Sequence, residues 1–315
     1  MTIESFIFKR KESSPTEANE SVFDKEILNQ ETIKALQDDV CSVSASEVEN
    51  HKISWQEKLK DSELNDMVEA VFALPAVLRT EQSLEKIRDT LEKGNNLNAD
   101  TKNILRNEQV AALKDLSEAL GAFSHYLMMN DKSIEELQTF WKIYENYSQE
   151  KNAYSLFNEI RSGILGQVAT EHLIQSLGLN CSAANWEEDV FEGTDLIISN
   201  KGRAPDVGRL QVKYKHVFDR LEIIDVKEYN PTFSVEASLG ATGKNLTHFI
   251  PDTSFDNLKH NCSPDELAYY IRIPDKNPDG SPTVDHITGI PSDALIQDFQ
   301  NESRKVFKDN FITTE

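Results

Sequence analysis

The sequence predicts an α+β chain in two parts: an all-α helical bundle over residues 21–150, then a domain mixing helices and strands over residues 151–315. Three observations predict it. Apolar residues recur at three- and four-residue steps as far as Tyr147, the spacing of one helix face. The pattern pauses near Ser148–Asn152. Beyond a helix that runs to Gly178, short runs rich in apolar and β-branched residues alternate with segments containing Pro and Gly.

Residues 1–20 are polar, lack periodicity and read as a disordered arm. Leu64–Leu78 is apolar almost all round and contains Pro75, which predicts a buried helix, kinked or split. Over Val110–Met129, Leu113, Leu116, Leu120, Phe123 and Leu127 form one stripe, read as bundle core, with the seam of a homodimer as the alternative. Asp131 or Ser133 caps the next helix, whose inner side carries Ile134, Leu137, Phe140, Ile143 and Tyr147. A helix over Ser155–Leu177 closes on Gly178, a natural residue just past a helix end. Strands are expected over Glu192–Ser199, Arg209–His216, Leu221–Val226, Thr232–Ala237 and Leu267–Ile273, and a last helix over Ser292–Phe307.

Composition narrows the function classes. With 38% hydrophobic and 28% charged residues, the 315-residue chain has the make-up of a soluble globular protein. No run approaches the ~18 apolar residues of a membrane span, so no membrane partner is expected. The start, MTIESFIFKRKESS, reverses the order of a secretory signal and predicts no classical export. Cys41, Cys181 and Cys262 are too sparse for a disulfide framework or a zinc pair, as in a reduced cytoplasmic protein. The net charge of −21 should repel nucleic acid overall. A nucleic-acid ligand would need a confined positive site or a metal ion; a protein partner of the acidic helices is the other outlet.

Chemistry concentrates in one stretch. Gly193-Thr194-Asp195-Leu196-Ile197-Ile198-Ser199 and Arg209-Leu210-Gln211-Val212-Lys213-Tyr214-Lys215 flank the polar segment Asn200–Gly208, which predicts an antiparallel hairpin. A turn centred near Arg203 places Asp195 and Gln211 eight residues to either side, so they become cross-strand neighbours, with Lys213 on the face of Gln211. That set suits phosphodiester hydrolysis. Asp195 offers a hard oxygen to Mg²⁺ or Mn²⁺, and the Gln211 side chain and the Val212 carbonyl offer neutral oxygens. Lys213 can orient or deprotonate a water and offset charge on the phosphorane. Between Lys201 and Arg220 six basic residues (Lys201, Arg203, Arg209, Lys213, Lys215 and Arg220) face two acids, Asp206 and Asp219. Of these, Lys201, Arg203, Arg209 and Lys215 are the candidates for guiding a nucleic-acid backbone.

GTDLII followed by LQVKYK resembles the Gly-x-Asp … Gln-x-Lys variant of the PD-(D/E)xK nuclease superfamily, as in Mrr-like restriction endonucleases. The preceding RSGILGQVATEHLIQSLGL is similar to that superfamily's first helix, and the resemblance covers about Gly163 to Lys215. It implies a restriction-endonuclease-like α/β domain with a central mixed sheet and Mg²⁺-dependent cleavage of nucleic acid. It also implies a glutamate in the helix about eleven residues before the closing glycine. Here that position is Gln167; Glu171, four residues on along the same face, is the candidate to replace it as a metal ligand and catalytic acid. The third motif's acid is likewise an amide, Gln211.

Plainer readings stand beside these. Asp195 and Lys213 also fit an ordinary cross-strand ion pair. Gly240-Ala-Thr-Gly243-Lys244 lacks the spacing of a phosphate loop and reads as a turn. His248, His260 and Cys262 form no recognised zinc set, and no local pattern supports a Cys–His hydrolase. The expectation is a metal-dependent nuclease whose helical part positions substrate or partner. The alternative is a catalytically degenerate interaction protein or delivered effector on the same fold.

Overall fold

A computed structural model describes residues 21–44, 47–60, 65–94, 97–128, 132–199, 207–215, 218–228, 258–262 and 267–307. Five helices come first: α1 (Ser21–Ser42), α2 (Val48–Lys58), α3 (Asn65–Lys93), α4 (Ala99–Met128) and α5 (Ile134–Glu150). α3 runs as one helix through Pro75: the expected burial is there, and of the two alternatives, kinked or split, the split is not. Met67, Val68, Val71, Phe72, Leu74 and Val77 around the proline are all buried. Their packing outweighs the roughly 3 kcal/mol that an interior proline costs. α5 begins on a capping box in which the Ser133 hydroxyl accepts from the Glu136 N–H and the Glu136 carboxylate accepts from the Ser133 N–H. That settles the cap on Ser133.

The second half opens with α6 (Tyr154–Ser176), followed by Gly178 at φ 75°. The strands are β1 (Asn180–Ala183), β2 (Leu196–Ser199), β3 (Val207–Lys215), β4 (Glu222–Asp225) and β5 (Leu267–Pro274), with α7 (Trp186–Glu192) between β1 and β2 and α8 (Asp293–Val306) after β5. Two expectations are corrected here. The start of the run predicted as strand from Glu192 is the end of α7, and β1 was not foreseen. The predicted strand Thr232–Ala237 lies outside the described residues.

The sheet is mixed, in the order β1-β2-β3-β5-β4. β1, β2 and β3 pair antiparallel; β5 runs parallel to β3, and β4 antiparallel to β5. The architecture is thus α+β, helices first and a mixed sheet after. On one sheet face Leu196, Ile198, Leu210, Tyr214, Tyr269, Ile271 and Ile273 meet the apolar sides of α6 and α8. This core is continuous with that of the helical half, through Phe123, Phe140, Trp141, Tyr144 and Phe157. Two polar ties reinforce the junction: Trp141 Nε1 donates to the Ile287 carbonyl at 2.9 Å, and Arg161, stacked on Trp141 and Phe157, donates to the His286 carbonyl at 2.5 Å. Among the described residues no helix is long and apolar enough to cross a membrane.

Candidate functional site

The hairpin has the expected register. Leu196 pairs with Leu210 and Ser199 with Val207, and extending that register puts Asp195 opposite Gln211. Asp195 is fixed on all sides. Its N–H donates to the Leu210 carbonyl at 2.7 Å, and its own carbonyl accepts from the Ala184 N–H at 3.0 Å and from Gln167 Nε2 at 3.5 Å. Its Oδ2 accepts from Gln211 Nε2 at 2.6 Å and from the Val212 N–H at 2.7 Å. N–H and C=O of one strand residue point to the same side, so the Val212 carbonyl also faces the flank of β3 that Asp195 occupies.

Local sequence explains the position. Asn185 caps α7 with the Glu188 side chain completing the box, and Gly193 ends it at φ 67°. The chain then reverses through buried Thr194 into β2. This tight helix-to-strand turn brings α7 back over the start of β2, and with it Asp189. The negative charge of Asp189 acts on Asp195, and the Lys213 ammonium acts on both. Ser117 Oγ of α4 holds Asp189 Oδ2 at 2.7 Å, and Ser124 Oγ of α4 donates to Gln167 Oε1 at 3.1 Å. Lys114 lies over the Trp186 ring at 5.1 Å. A helix of the N-terminal half therefore forms one wall of the site.

Electrostatics follow from this enclosure. Burial, and secondarily Asp189, raise the Asp195 carboxyl from 3.8 to about 7, against the opposing pull of Lys213, the Val212 N–H and the Gln211 amide. Burial also raises Asp189, opposed by Ser117 and Lys213. Burial makes each of the two acids costly to ionise, and the charge of Asp189 adds to the cost at Asp195. Gln211, only 3% exposed, sits beside them. Among the described residues no group of three His, Cys, Asp or Glu side chains gathers.

The structure thus brings together Asp195, Gln211, Val212 and Lys213. Glu171 lies elsewhere on α6: it accepts from Gln175 Nε2 at 3.4 Å, burial raises its carboxyl, and its charge bears on Cys181 of β1. Cys181 pairs with Ile198, whose side chain is in the core under α6, whereas Gln211 and Lys213 line the opposite sheet face. Asp189 was missed in the sequence, although Asn185-Trp-Glu-Glu188 is a legible capping box that would have placed it on a helix. Of the backbone-guiding candidates, Arg209 forms an ion pair with Glu192 that ties β3 to α7, and Lys215 is exposed at the end of β3. Lys201 and Arg203 lie outside the described residues. Cys41, Cys181 and Cys262 form no disulfide, and Cys262 packs against the small cluster that includes Tyr270.

No family model matches the chain, and neither a search of curated proteins nor one of solved structures finds a match.

Proposed function

We propose that the chain is a metal-dependent nuclease that hydrolyses phosphodiester bonds of nucleic acid at the Asp195–Gln211–Lys213 cluster. The observation that carries this reading is the convergence of Asp195, Gln211, the Val212 main chain and Lys213 at one place, with Asp189 as a second acid. Asp195 and Asp189 would hold Mg²⁺ or Mn²⁺, helped by the Gln211 and Val212 oxygens. When bound, such an ion supplies charge neutralisation at the phosphate and a lower pKa for the attacking water. Lys213, whose positive charge already acts on both acids, orients that water and offsets the charge gathering on the phosphorane as the new P–O bond forms and the bond to the sugar oxygen breaks, the water's proton passing to solvent. Gln167, held by Ser124 and reaching the Asp195 carbonyl, positions the acid. α4 contributes through Ser117 and Ser124, which is how the helical half would position substrate against the site.

The test is calorimetry with Mg²⁺ and Mn²⁺ on the full chain. Uptake that disappears in Asp195→Ala supports the reading; no uptake dependent on Asp195 contradicts it.

A second reading is favoured by the amides at Gln167 and Gln211 and by the net charge of −21. In it the domain is a catalytically degenerate scaffold or delivered effector, and the acidic helices bind a protein partner. That reading predicts no Asp195-dependent metal uptake and an unimpaired partner interaction in Asp195→Ala.

A further inference from the structure

The sheet face that carries Asp195 and Gln211 has a second polar row two residues further along β3. Lys213 on β3 is the direct partner of Arg272 on β5, and Arg272 in turn is the direct partner of Glu222 on β4. Paired residues share a sheet face, so the two cations stand side by side with the acids outside them. Arg272 is 6% exposed, an unusual place for a guanidinium at the middle of a sheet. Its Nη1 donates to Glu222 Oε2 at 3.0 Å, and its plane lies 5.6 Å from the ring centres of Phe218 and of Tyr270. One arm is thus fixed and two rings lie near the guanidinium, while the buried Nε–H has no hydrogen-bond partner among the described residues. A buried donor left unpaired is costly and calls for an explanation.

Charge counting supplies one. Among the described residues Lys213 and Arg272 stand with Asp189, Asp195 and Glu222, and Arg220 pairs with Glu222 at 3.3 Å, so the formal charges of this group balance. A divalent cation at the two aspartates would leave the group with a positive excess, which a phosphate anion offsets. We propose that Arg272 is a phosphate-binding residue of this site: its Nε edge takes a phosphate oxygen beside Lys213 once the cation is in place. The inference rests on the metal reading above and adds the ligand group and the order, metal first and phosphate second. Arginine suits the role because its fork binds an anion with one edge while the other edge keeps Glu222. Lysine offers a single point of attachment.

The test uses the full chain, Mg²⁺ and inorganic phosphate as probes, and two variants. Arg272→Lys keeps the charge and can keep the Glu222 pair but loses the Nε edge. The double variant Arg272→Gln/Glu222→Gln removes both charges together and so avoids stranding a buried carboxylate. In the wild type, phosphate should bind measurably only to the Mg²⁺-loaded protein. Both variants should bind Mg²⁺ within about twofold of wild type and bind phosphate about tenfold to a hundredfold more weakly. With a nucleic-acid substrate the loss should appear in KM. Phosphate affinity unchanged in Arg272→Lys and in the double variant, or equal with and without Mg²⁺, overturns the proposal while leaving the metal reading intact. Failure of the wild type to take up Mg²⁺ overturns the metal reading, and this inference with it.

Discussion

Replacing Asp195 by Asn should make the metal-free protein more stable at pH 8 while removing the proposed metal ligand. Oδ2 of Asp195 accepts two hydrogen bonds, from Gln211 Nε2 and the Val212 N–H. The Asn oxygen can accept both, so the hairpin keeps its register. What changes is the charge. A carboxyl raised from 3.8 to about 7 in the folded protein disfavours folding by up to about 4 kcal/mol once it ionises, and partial solvent access lowers this to about 2–4 kcal/mol. Because the folded value is the higher one, wild-type stability from this group is fully present below about pH 4 and is lost as pH rises through 7. The asparagine variant has no such loss. Urea denaturation of both proteins at pH 4, 6 and 8 without metal should show curves that nearly coincide at pH 4. A gap of about 2–4 kcal/mol in favour of the variant should open between pH 4 and 7. With saturating Mg²⁺ the gap should narrow, since only the wild type gains from the ion. A variant less stable than wild type at pH 8, or a gap independent of pH, refutes the reasoning.

Further outcomes follow from the same contacts. Asp189→Asn should weaken Mg²⁺ binding about tenfold or more while Glu171→Gln leaves it within about twofold, measured by calorimetry; equal effects would contradict the placement of Asp189 at the site. A Cβ at Gly166 would lie 2.6 Å from Tyr214 Cβ, so Gly166→Ala should force α6 off β3 and cost about 1–3 kcal/mol in a denaturant series. Gly163, on the same helix with nothing within 4 Å, is the control: Gly163→Ala should stabilise by about 0.5–1 kcal/mol.

How much of this was legible beforehand depends on what kind of signal each element carries. The hairpin was readable to the residue because apolar alternation on both sides of Asn200–Gly208 fixes a register, and a one-residue slip would turn Leu196, Ile198 and Leu210 out of the core. The end of α6 was readable because Gly178 takes a conformation that other residues avoid. β1 was not, since Asn180–Ala183 is short, mostly exposed and without alternation. α7 was hidden because Glu192–Ser199 was taken together as one run, although Gly193 closes a helix there. The buried helix around Pro75 was readable from its apolar run, and it stays in one piece because the proline's local penalty is small beside the burial of the residues around it. Asp195, Gln211 and Lys213 came from strand geometry, which is local. Asp189 and Arg272 join them through a helix-to-strand turn and a parallel strand pair, and contacts of long sequence separation leave no periodic trace.

Incubating the purified chain with single- and double-stranded DNA and RNA, with Mg²⁺, with Mn²⁺ and with chelator, tests the account most directly. The account predicts cleavage that requires the divalent ion and that falls to background in both Asp195→Ala and Lys213→Ala, each confirmed as folded. Cleavage that persists in those two variants, or in chelator, would contradict it.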